Sequence, residues 1–176
     1  MKNGELSRMI KARPLPGDII VIEASEGERA TLAARFGLST IESLRAEITL
    51  EQKTRAIRAS GTLRAAIIQP CAVSAEDFAV SIDEPLDLRF VEESSALSTS
   101  EGEDIEIELA ADDCDEITYA GDMFDLGEAI AQSLGLAIDP YAEGPNADAT
   151  RKAAGIVQEG EALGPLAAAL AGLKKD

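Results

Sequence analysis

Carboxylates are the ionisable side chains this chain has in quantity: 33 Asp and Glu stand against 16 Lys and Arg, and there is no histidine. Without histidine neither a Ser-His-Asp nor a Cys-His mechanism is available. The commonest metal ligand and the best proton carrier near neutral pH are missing too. No GxGxxG, Walker loop or CxxC is present, so phosphate cradles, dinucleotide sites and thiolate zinc sites have no local signature. Asp112, Asp113, Asp115 and Glu116 offer oxygen ligands to a hard cation. They fit no calcium-loop spacing, however, and lack the glycine such a turn uses, so they read as a solvated acidic turn. The expectation is a non-enzymatic protein with no metal and no cofactor.

The distribution of charge says more than the net value of -17. Residues 1–75 hold 11 basic and 8 acidic side chains, whereas residues 90–150 hold 17 acids and no Lys or Arg. Such a stretch repels phosphate backbones and attracts basic partners, over a Debye length of about 8 Å at physiological salt. Glu103, Asp104, Glu106, Glu108, Asp112, Asp113, Asp115 and Glu116 are its candidate protein-binding residues. The alternative is direct RNA contact by Arg45, Arg55, Arg58 and Arg64 in the more cationic half. A third reading makes the C-terminal stripe Leu166, Leu170 and Leu173 a docking hook for a partner's groove. Aromatic platforms for single-stranded nucleic acid are scarce, with four Phe, two Tyr and no Trp.

These side chains need elements to carry them. Asp18–Glu23 reads as a short strand, and Ser25 with Glu28 is spaced as a capping box for a helix that Gly37 ends. Leu44, Ala46, Ile48 and Leu50 alternate with polar residues; after Gln52–Thr54 the alternation resumes at Ile57, Ala59, Gly61, Leu63, Ala65 and Ile67. That pattern predicts a long antiparallel hairpin, with Gly61 marking a bulge or a sharp coil. A third strand runs from Phe78 through Pro85 to Phe90, and a fourth through Ile105, Ile107 and Leu109. Asp125 and Glu128 again have capping-box spacing, ahead of a helix that stops at Asp139-Pro140.

The fold class expected is α+β: an antiparallel, barrel-like β-sheet with packed helices and a tethered C-terminal helix. Residues 1–141 form the domain, with 92–104 a flexible acidic loop, 142–164 a linker and 165–175 the terminal helix. No apolar run approaches the roughly 18 residues of a membrane span, and Cys71 and Cys114 suit a reducing compartment, so a cytoplasmic location is expected.

Several segments in order resemble the bacterial YceD family, large ribosomal RNA subunit accumulation proteins, in its alphaproteobacterial type. They are SEGERATLAARFGLSTIESLRAEITL, then IIQPCAVSAEDFAVSIDEPLDLRFV, then FDLGEAIAQSLGLAIDPYAEGPNA, and finally GPLAAALAGLKKD, which is similar to the family's NPFxxLAxLK ending. The likeness spans about residues 15–173. It implies a role in large-subunit ribosomal RNA accumulation and ribosome biogenesis, with a ribosomal protein, an assembly intermediate or ribosomal RNA as partner. Many members also carry a CxxC and a third cysteine. Here Cys71 keeps the first position, while Ser74 and Gly144 stand at the other two.

Overall fold

The structure is a computed structural model that describes residues 5–54, 56–93 and 116–156. In chain order its elements are β1 (Met9–Lys11), β2 (Ile20–Glu23), α1 (Glu26–Phe36), β3 (Thr40–Gln52), β4 (Ala56–Pro70), β5 (Asp77–Glu92), β6 (Glu116–Tyr119), β7 (Met123–Asp125), α2 (Leu126–Ala137) and α3 (Ala147–Ala153). The chain divides into two compact units. One holds residues 1–69 and 79–139, the other 70–78 and 140–176.

The larger unit is built on a five-stranded sheet in the order β2-β3-β4-β5-β6, with β1 and β7 forming a separate two-stranded ribbon. The fold is therefore α+β. β2, β3 and β4 pair antiparallel, and β6 lies parallel to β5. The sheet is open, with β2 and β6 as its edges among the described residues, and does not close into a barrel.

The hairpin puts its apolar rows where the alternation predicts. Leu44, Ala46, Ile48 and Leu50 of β3 and Ile57, Ala59, Leu63, Ala65 and Ile67 of β4 are all buried. Each Leu or Ile so buried contributes about 1.5–3 kcal/mol. Gly61 serves another purpose than the bulge or coil expected of it. It faces Ile48 across the ladder, and a Cβ there would lie 1.9 Å from the Glu47 carbonyl oxygen. The bulge falls instead between Ile41 and Ser43 of β3, where Glu42 is the extra residue. That one-residue slip lets Ile41 and Leu44, of opposite parity, both face the core.

Helix α1 starts as the spacing predicts: the Ser25 hydroxyl accepts from the Glu28 N–H, and the Glu28 carboxylate accepts from the Ser25 N–H at 2.8 Å. Gly37 ends it in the left-handed conformation, φ 68°. α2 is capped by Asp125, whose Oδ1 accepts from the Glu128 N–H at 3.1 Å. The same carboxylate accepts from the Arg8 N–H at 2.8 Å and the Ser7 hydroxyl at 2.6 Å, and so ties the N-terminal arm to the start of α2. Gly127 makes this possible, since a Cβ there would meet the Leu6 carbonyl oxygen at 2.5 Å. Leu6 is fully buried, and Phe124 of β7 stacks on Phe90 of β5 with centroids 4.3 Å apart.

In the smaller unit Cys71 and Glu76 close a tight turn, with the Cys71 N–H donating to the Glu76 carbonyl at 2.9 Å and Ala75 at φ 58°. The stretch expected as a linker contains α3, whose Arg151 pairs with Glu143 and Asp148. Its seven residues are too few for a helical period to stand out.

Candidate functional site

Of the arginines proposed for RNA contact, Arg45, Arg58 and Arg64 sit on the outer face of the larger unit's sheet, and each meets carboxylates. Arg58 forms a two-point fork on Asp87, Nε to Oδ1 at 2.7 Å and Nη2 to Oδ2 at 2.6 Å, which holds the Asp87 carboxyl below its usual range. Arg64 donates to Asp83 at 3.2 Å. Arg45 is shared between Glu47, at 2.8 Å, and Glu23, and these hydrogen bonds raise its pKa. Arg45 and Arg64 stand directly opposite each other across the β3–β4 ladder, a like-charge pairing that the flanking acids offset. Arg55 lies outside the described residues. Sequence reasoning missed Asp83, Asp87, Glu23 and Glu47, although their outward parity on neighbouring strands was a usable signal.

Of the acidic set, Glu116 opens β6 and pairs with Arg89 at 3.2 Å. Glu103, Asp104, Glu106, Glu108, Asp112, Asp113 and Asp115 lie outside the described residues. So do the expected strand at Ile105–Leu109, Cys114 and the stripe Leu166, Leu170 and Leu173.

Within the smaller unit, Cys71, Ser74 and Gly144 come together. The buried Cys71 Sγ accepts backbone N–H bonds from Gly144 at 3.2 Å, Ser74 at 3.3 Å and Val73 at 3.4 Å. Hydrogen bonding by the Ser74 side chain, then by the backbone N–H groups of Ser74 and Gly144, outweighs burial and brings the thiol down to about 7. A donor ring of this kind suits a sulfur that carries negative charge. Tetrahedral zinc takes three or four protein donors, and no cluster of three metal-ligating side chains accompanies this sulfur among the described residues. The position of Gly144 is tight: a Cβ there would come within 3.1 Å of the Phe78 ring and 3.4 Å of the Cys71 Cβ.

The family model described as Large ribosomal RNA subunit accumulation protein YceD matches residues 59–174, about two-thirds of the chain. The chain belongs to the YceD family. Its matched stretch begins inside β4, so β2, α1 and β3 precede it. No curated protein and no solved structure matches this YceD-family chain. The family's name ties it to accumulation of large-subunit ribosomal RNA. No helix among the described residues is long and apolar enough to cross a membrane.

Proposed function

We propose that this YceD-family chain is a non-enzymatic cytoplasmic factor that supports large-subunit ribosomal RNA accumulation by holding a basic ribosomal protein during assembly. The observation that carries this reading is the span 90–150, with 17 acids and no Lys or Arg. Fixed negative charge at that density attracts a Lys/Arg-rich chain and screens it from premature contact with RNA. The residues offered for contact are Glu103, Asp104, Glu106, Glu108, Asp112, Asp113, Asp115 and Glu116.

The RNA reading has less support. Phosphate binding draws its free energy from counterions released by unneutralised cations. Arg45, Arg58 and Arg64 are each already beside a carboxylate, so the face they share offers phosphate little positive potential.

The test is a titration of the purified protein with basic large-subunit ribosomal proteins at about 50 and 200 mM salt, a range over which charge-driven binding falls steeply. Binding is expected at the lower salt. Replacing Glu103, Asp104, Glu106, Glu108, Asp112 and Asp113 by their amides should weaken it at least about tenfold, or about 1.4 kcal/mol. Failure to bind any basic ribosomal protein at low salt rejects the reading. A gel shift with ribosomal RNA that disappears on Arg58→Glu with Arg64→Glu would favour RNA contact instead.

A further inference from the structure

Among the described residues no strand pairs with the outer edge of β2, and that edge is built unlike a protected one. Edge strands are ordinarily blunted by a charge, a proline or a bulge within the strand, which keeps stray chains from pairing. Here Ile19, Ile20, Val21 and Ile22 run in succession ahead of a single charge, Glu23 at the end of β2, with no proline or bulge, and β2 pairs with β3 through an unbroken register. Ile19 and Val21 point away from the core and are 65% and 48% exposed.

The ladder also fixes which backbone groups point away from β3. Ala24 donates to the Leu44 carbonyl at 3.1 Å, continuing the register that pairs Ile22 with Ala46 and Ile20 with Ile48. In an antiparallel pair, hydrogen-bonded and non-bonded positions alternate, so Val21 and Glu23 turn their N–H and C=O outward. The Glu23 carbonyl bears this out: it accepts from Arg8 Nη2, off the ladder, at 3.4 Å. Val21 has no hydrogen bond of this kind among the described residues.

The geometry points to this edge as a strand-addition site for an extended, basic segment of a partner protein. Charge selects the occupant. Asp18 and Glu23 bracket the aliphatic run, and Arg45 must serve both Glu23 and Glu47, which leaves the edge with an excess of carboxylate. A second copy centred on Val21 would set each Glu23 opposite the other chain's Ile19 and each Asp18 opposite Ala24, so it would add two more carboxylates to this edge and bring no cation opposite either of them. A partner strand with aliphatic side chains opposite Val21 and Ile19, a cation opposite Glu23 and another opposite Asp18 meets every requirement. The surface is distinct from the acidic span of the preceding proposal, and either can fail without the other.

The experiment uses the full chain, labelled with nitrogen-15, and the synthetic peptide Arg-Lys-Val-Thr-Val-Lys-Arg. In antiparallel register its valines fall opposite Val21 and Ile19, its first arginine opposite Glu23 and its second lysine opposite Asp18. Titration is expected to shift the Val21 and Glu23 amide signals and slow their exchange with solvent. The same peptide with Glu for every Lys and Arg should leave both unchanged. Val21→Pro removes only an outward N–H, and Val21→Lys restores the charge that protected edges carry. Each should weaken binding at least about tenfold, with melting followed to confirm the fold; where the proline variant fails to fold, the lysine variant decides. Unchanged Val21 and Glu23 amides, equal binding of the acidic peptide, or undiminished binding by Val21→Lys would overturn the proposal. So would a dimer of the natural protein that Val21→Lys disperses, which assigns the edge to a second copy.

Discussion

Glu28 is heavily committed. It accepts two hydrogen bonds from Arg8, at 2.6 and 3.0 Å, while closing the cap of α1 with Ser25. The bond from Arg8 is the largest cause of its descent to about 2, below the ordinary carboxylate range. Because the folded state holds the proton more weakly than the unfolded chain, Glu28 adds stability above about pH 4.5, and this is lost as pH falls toward about 2. Glu28→Gln keeps a capping side chain but loses the ion pair. It should cost about 0.5–1 kcal/mol near neutral pH. In urea titrations the difference from the natural protein should shrink as pH falls from about 4.5 toward about 2; a gap undiminished over that range contradicts the assignment. Cys71 obeys the same sign. Its thiolate adds stability at alkaline pH, and that contribution is lost as pH falls through about 7. In a Cys114→Ser variant, thiolate absorbance should rise with a midpoint near 7 when folded and move to the usual thiol range in urea. A midpoint that does not move on unfolding would show that the N–H groups around the sulfur do nothing to its charge.

At the scale of elements, local signals were legible and distant ones were not. The two caps, the left-handed Gly37 and the β3–β4 alternation depend on residues a few positions apart, and each appears where its spacing places it. The β1–β7 ribbon has three-residue strands, too short for a period, and joins Met9 to Asp125. Nothing within either strand announces the other. The candidate RNA arginines were legible as an outward row, but their neutralisation was hidden because it depends on which strands become neighbours. Gly61 stands out in the sequence by residue type, yet its reason lies in the approach of the Glu47 carbonyl from the next strand. Gly61→Ala should therefore destabilise the fold by about 1–3 kcal/mol, the usual range for overpacking, even though alanine is the better strand residue by propensity. Asp125→Ala removes a helix cap together with the hold on Ser7 and Arg8, and should cost about 1–2 kcal/mol in urea denaturation. Asp125→Asn, which can still cap, should recover part of the loss.

For the whole molecule, a net charge of -17 opposes compaction, since every carboxylate without a partner repels its neighbours. Raising sodium chloride from about 20 to 300 mM shortens the screening length from about 20 Å to about 6 Å. The melting temperature should rise over that range, while capture of a basic partner should fall. A melting temperature that drops with salt would mean that the attractive ion pairs, such as Arg58 with Asp87, outweigh the repulsion. The charge asymmetry was readable from residue order alone. The acids of 94–115 lie outside the described residues, and acid-rich composition alone specifies no path for a chain.

The β1–β7 ribbon has a further consequence for how the chain is made. Because Met9 pairs with Asp125, β1 must wait while more than a hundred further residues leave the exit tunnel. At translation speeds of 5–20 residues per second that delay is on the order of ten seconds. Through that interval Leu6 and the arm around it have no α2 to rest on.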